Sequence, residues 1–136
     1  MVIIMQIGFI GLGIMGKPMA KNLLNGGYTE LLVCNRSQAA VDELISCGAK
    51  RATYEEIGKA CGLVFTMLPN SPQVKDVMLG EGGVASFMKP GSTFIDMSSI
   101  NPVVSKEIAA ELSKKDIEML DAPVSGGEPK AIDGTL

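Results

Sequence analysis

The chain has 136 residues, 46% of them hydrophobic and 20% charged, a balance that suits one folded domain and excludes a disordered tail. It contains no histidine, which removes imidazole acid–base catalysis, Ser-His and Cys-His nucleophiles and histidine metal sites. A net charge of −3, 4% aromatic residues and no tryptophan exclude a nucleic-acid partner, which would need a basic face and stacking rings. In chain order, the first element is an apolar run from Ile3 to Ile10, too short to span a membrane and without the basic residues that open a secretory leader. Apolar residues at helical spacing then predict a helix over Met15 to Asn25 that stops at Gly26-Gly27. A second strand is expected at Leu31 to Cys34. Ser37 caps a predicted helix through Val41, Leu44 and Ile45 that ends at Gly48. A short strand near Ala49 to Ala52 follows, and Thr53 with Glu56 forms a capping box. Strands are predicted at Leu63 to Leu68, Thr93 to Met97 and Ile117 to Leu120. Between them, Ser71-Pro72 and Asn101-Pro102 each place a capping side chain before a proline, the second opening a helix to about Lys115.

None of the apolar runs alternates with polar residues, so each reads as a strand covered on both faces. Strand and helix in regular alternation predict an α/β fold with a doubly wound, mostly parallel sheet. Residues 122–136 are rich in glycine and proline and show no closing element, so residues 1–136 are expected to form an incomplete domain, truncated near its C-terminal end. Three cysteines without a C-x-x-C pair fit the reduced thiols of a cytoplasmic protein, and no spacing predicts a metal site.

The chemistry lies at the strand ends. Gly11-Leu12-Gly13-Ile14-Met15-Gly16 is a G-x-G-x-x-G that follows a buried strand and opens a helix, the context in which this motif holds a dinucleotide. Gly11 permits the tight turn, Gly13 lets the backbone approach a pyrophosphate, and Gly16 lets the helix pack closely. Free amides and the positive helix terminus hold the anion. The ribose-reading position at the end of the second strand carries Asn35, Arg36 and Ser37. Asn35 does not repel a 2′-phosphate as an aspartate would, and Arg36 offers it a fork of donors. The expected cofactor is NADP, with NAD possible.

Ligands of such sheets sit outside the carboxyl ends of the strands. Met67, Leu68 and Pro69 follow the fourth strand and are placed to flank the ribose and nicotinamide. Ser98 and Ser99 follow the fifth, with hydroxyls free for the cofactor. Ser125, Gly126 and Gly127 follow the sixth and combine a hydroxyl with exposed amides, a nest for a carboxylate. Lys130 reads as a surface lysine and Cys34 as a small buried residue.

The stretch Phe9 to Leu23, with Met15, Met19 and Asn22 around the glycines, resembles the cofactor signature of the β-hydroxyacid dehydrogenase family. Asp121 to Gly127, with Ala131, Gly134 and Leu136, resembles that family's substrate segment. Met67-Leu68-Pro69 and Asp96-Met97-Ser98-Ser99 fall where its members contact the cofactor. The resemblance covers essentially the whole chain. It implies an oxidoreductase that transfers hydride between a nicotinamide and a small hydroxy acid or semialdehyde acid, whose carboxylate Ser125, Gly126 and Gly127 hold. It also implies a catalytic lysine beyond Leu136 and a C-terminal all-helical domain that completes the pocket and a homo-oligomer. On that reading this chain carries no catalytic residue and binds cofactor with little or no turnover. Met67 to Pro72 and Gly126 to Ala131 are most similar to the branch that reduces 2-hydroxy-3-oxopropionate. Asn35-Arg36 is more similar to the NADPH-using branch that reduces glyoxylate and succinic semialdehyde. The alternatives are a 3-hydroxyisobutyrate-oxidising enzyme and a dinucleotide-binding regulatory module without catalysis.

Overall fold

The computed structural model describes residues 5–136. Six parallel strands form one sheet: β1 (Ile7–Ile10), β2 (Leu31–Cys34), β3 (Lys50–Arg51), β4 (Leu63–Thr66), β5 (Thr93–Asp96) and β6 (Glu118–Asp121). Their order is β3-β2-β1-β4-β5-β6. The order reverses at β1, so the crevice where this fold binds ligands opens above the carboxyl ends of β1 and β4. Six helices connect or follow the strands: α1 (Gly16–Asn25), α2 (Gln38–Ser46), α3 (Tyr54–Ala60), α4 (Ser71–Leu79), α5 (Pro102–Ser113) and α6 (Gly127–Asp133). A single 3-10 turn over Val84–Ser86 precedes β5.

Period-two alternation divides the strand residues between two layers. Phe9, Leu31 and Val33 face Ala20 of α1 and Val41 and Leu44 of α2. Ile10, Val64 and Phe94 face Ile57 of α3, Val74 and Met78 of α4, and Ile108 and Leu112 of α5. Each large side chain buried this way contributes roughly 1.5–3 kcal/mol of hydrophobic stabilisation. No helix of the described residues is long and apolar enough to cross a membrane.

The strands are shorter than the apolar runs. Ile3 and Ile4 lie outside the described residues, and pairing begins at Ile7, which sits opposite Leu31 and Leu63. Met67, Leu68 and Met97 leave the sheet beyond Thr66 and Asp96 and become loops at its carboxyl edge. Coverage on both faces fails at the two edge strands. Both residues of β3 are exposed, and in β6 Leu120 remains 56% exposed. An apolar run alone does not reveal whether a helix reaches over it.

Helix ends follow local hydrogen bonding, with three departures from expectation. The Thr53–Glu56 box is present, each side chain accepting the other residue's amide at 3.1 Å. Replacing Thr53 with Ala therefore lowers stability by about 1 kcal/mol in urea denaturation; an unchanged midpoint would show that α3 needs no cap. Ser37 occupies the cap position of α2 without a side-chain cap bond. Asn70, not Ser71, caps α4 by accepting the Ser71 amide at 2.8 Å. The Ser71 hydroxyl instead accepts the Asn101 amide at 3.0 Å, joining the starts of α4 and α5, while Asn101 caps α5 through Val103. The third departure is α6, a closing element where none was expected. Pro129 falls in its first turn, where the missing N–H breaks no helical bond, and left-handed Gly134 ends it. Ala131 of α6 is fully buried, and the Asn22 amide of α1 donates to its carbonyl at 2.7 Å.

Candidate functional site

The glycine turn leaves β1 with Gly11 at φ +101°, a conformation that costs an L-residue strain. A Cβ on Gly11 would stand 2.2 Å from the Met67 carbonyl oxygen, and one on Gly16 would stand 1.9 Å from the Gly11 carbonyl oxygen. These two glycines let the turn fold onto itself and onto the β4 loop. Gly13 differs, because it lines the crevice and a Cβ there would meet no heavy atom within 4 Å. Helical bonding begins with Lys17 N–H donating to the Gly13 carbonyl, so the amides of residues 13–16 have no intrahelical acceptor.

Asn35 holds this turn in place. Its Oδ1 accepts the Leu12 N–H at 2.9 Å and its Nδ2 donates to the Ser37 carbonyl at 3.2 Å. The side chain expected merely to tolerate a 2′-phosphate therefore also latches the loop. An aspartate would keep the first bond and lose the second. Arg36 next to it is exposed, lines the crevice and forms no ion pair among the described residues.

The crevice has a volume of about 720 Å³, within the ordinary range for ligand sites. It brings together Gly11, the turn from Gly13 to Gly16, Asn35, Arg36 and Met67 to Pro69. Leu12 and Ser37 do not line it: Leu12 is buried in the α1–α2 layer, and Ser37 is exposed at the start of α2. The far wall holds residues that the sequence reading missed. Tyr54 comes from the start of α3, and Pro72, Gln73, Asp76 and Val77 come from α4. Their spacing of one helical turn was a legible sign of one face. Burial pushes the Tyr54 phenol pKa up, nearby Cys34 and Asp76 add to the rise, and Arg36 opposes it.

At the end of β5 the two serines part company. Ser98 is fully buried and its hydroxyl accepts the Leu68 N–H at 2.9 Å, so it is not free for a cofactor. Ser99 is exposed. Past β6, Ser125, Gly126 and Gly127 are exposed and stand apart from the crevice lining. Gly126 has φ +137°, and a Cβ there would lie 2.5 Å from Cδ of Lys130, whose stem covers this turn.

The donor set fits a dinucleotide. A helix terminus with unbonded amides opens on the crevice, Gly13 leaves open space there, and Arg36 belongs to the same lining. Comparison with known proteins gives the same class. The family described as the NAD binding domain of 6-phosphogluconate dehydrogenase matches residues 6–136. The chain is 45% identical over 133 residues to 2-hydroxy-3-oxopropionate reductase of Escherichia coli, covering 97% of this chain and 45% of that protein. It is 42% identical over 132 residues to an NAD-dependent L-serine dehydrogenase of Pseudomonas aeruginosa, covering 96% and 44%. Among solved structures it resembles 3-hydroxyisobutyrate dehydrogenase (ygbJ) from Salmonella typhimurium, with a TM-score of 0.88 at 34% identity over 96% of this chain and 45% of that one. The chain thus spans less than half the length of the relatives it matches.

Proposed function

This chain belongs to the family of the NAD binding domain of 6-phosphogluconate dehydrogenase, and from that premise we propose that it is the dinucleotide domain of a β-hydroxyacid dehydrogenase-type oxidoreductase and that it prefers NADP(H). The observation that carries the preference is Arg36, exposed on the crevice wall with no carboxylate partner among the described residues and with Asn35, not an acid, beside it. Its guanidinium takes the 2′-phosphate, while the amides of residues 13–16 take the pyrophosphate. Met67 to Pro69 wall the nicotinamide half, with the Ser99 hydroxyl beside it. The bound nicotinamide supplies the hydride. Ser125, Gly126 and Gly127 hold the carboxylate of the small acid that receives or yields it, and a lysine past Leu136 in the parent protein moves the proton, as the family resemblance implies. The substrate is most like 2-hydroxy-3-oxopropionate, which accords with the identity to the Escherichia coli reductase.

Calorimetric titration with NADPH and NADH at matched salt tests this reading. NADPH binds roughly tenfold tighter, about 1.4 kcal/mol, and Arg36→Ala brings the two cofactors level. NADH binding equal to or tighter than NADPH in the unaltered chain would make Arg36 a bystander and place the protein among the NAD users.

A further inference from the structure

One charged side chain at the carboxyl edge of the sheet has no part in the cofactor contacts described above. Asp96 closes β5 with its side chain wholly buried. Thr66, at the end of β4, donates its hydroxyl to Asp96 Oδ1 at 2.9 Å, and the Ser98 N–H donates to the same oxygen at 3.0 Å. Ser98 in turn accepts the Leu68 N–H at 2.9 Å. The main chain ties the same place again. The Asp96 carbonyl accepts the Ala122 N–H at 2.8 Å, and the Thr66 carbonyl accepts the Met97 N–H at 2.9 Å. One residue therefore joins the ends of three neighbouring strands, the cofactor wall at Leu68 and the loop that leads to Ser125.

Stability alone is a poor reason for a carboxylate here. No ion pair involves it among the described residues, and Oδ2 has no hydrogen-bond partner there either. Burial pushes its pKa up, the Ser98 and Thr66 hydrogen bonds work against that rise, and the charge of Asp121 adds to it. Well-packed apolar residues commonly replace buried charge at little or no loss of stability. What an apolar residue cannot supply is an acceptor shared by two donors, the Thr66 hydroxyl at the end of β4 and the Ser98 N–H past the end of β5.

We infer that Asp96 is a positioning residue of the cofactor site: its carboxylate orients Ser98, and Ser98 fixes Leu68 in the wall that receives the nicotinamide half of the dinucleotide. The inference rests on the cofactor reading. With Arg36 at the end of β2 marking the adenosine half, the other half lies across the switch point, over the ends of β4 and β5.

The test compares NADPH with 2′,5′-ADP, which carries the adenosine half alone; NADH and AMP form the matching pair if the chain takes the cofactor without the phosphate. Ser98→Ala removes the link to Leu68 with little change in volume. It weakens NADPH roughly tenfold, as expected for a buried amide left unpaired, and leaves 2′,5′-ADP within about twofold. Asp96→Ala gives the same selective loss, Asp96→Asn restores most of it by keeping an oxygen acceptor, and the Asp96→Ala/Ser98→Ala double variant is no weaker than Asp96→Ala. Should Asp96→Ala fail to fold, Ser98→Ala decides alone. An equal loss of both ligands in Ser98→Ala, or no loss of either, overturns the inference. An unaltered chain that binds neither the cofactors nor their adenosine halves overturns the cofactor reading, and the inference with it.

Discussion

Gly11→Ala costs the domain about 3 kcal/mol or more and lowers its Tm by on the order of 10 °C. Two terms add. The left-handed backbone at φ +101° strains any L-residue by about 1–3 kcal/mol. The new methyl also stands 2.2 Å from the Met67 carbonyl oxygen and 2.9 Å from Cδ2 of Leu68, overpacking that costs a further ~1–3 kcal/mol. Neither side can step back easily. The Gly11 N–H is bound to the Cys34 carbonyl at 3.1 Å and the Met67 N–H to the Ile10 carbonyl at 3.0 Å, so relief would break central sheet contacts. Against a total of about 5–15 kcal/mol this is a large fraction. Thermal unfolding followed by circular dichroism gives the answer, and a Tm within about 3 °C of the unaltered chain would show that the turn relaxes freely.

Gly13→Ala, two residues away, has the opposite signature. Its methyl meets nothing within 4 Å of the protein, so Tm stays where it was. Dinucleotide affinity falls roughly 100-fold, about 2.7 kcal/mol, because the methyl occupies the approach that the pyrophosphate takes to the amides of the turn. Calorimetry with both cofactors measures the loss. Unimpaired binding in a fully folded Gly13→Ala chain would mean that the pyrophosphate lies elsewhere.

What was legible in the sequence is what the backbone dictates over short distances. The glycine turn, the Thr53 box and the end of α1 at Gly26 each follow from a few adjacent residues. Five of the six strands announced themselves as apolar runs, although where each leaves the sheet depended on its partners; β3, with Lys50 and Arg51, gave only a weak signal near Ala49 to Ala52. The rest depended on residues far apart in the chain. Nothing near Asn35 says that its side chain reaches Leu12, 23 residues earlier. Nothing near Gly127 says that a helix forms there, because seven residues are too few to be stable alone and α6 relies on Asn22, 109 residues before Ala131. Ser98 and Ser99 were a missed opportunity. The alternation that buries Phe94 and Asp96 also turns Ser98 inward and Ser99 out. The crevice-facing row on α4 was likewise available from helical spacing alone.

The strand order carries a consequence for how the chain emerges from synthesis. With β1 in the interior of the sheet, β2 adds beside it and β3 beside β2, then β4 takes the opposite flank and β5 and β6 follow outward. Every strand joins an edge that already exists, and none has to be inserted between two that are paired. Insertion would require opening a ladder already formed, whereas edge addition lets each newly made strand and helix dock on its predecessors. The strands β1 to β3 and both partners of the Asn35 latch all lie before Ala52, so that hydrogen bond draws on no residue from the second half of the chain.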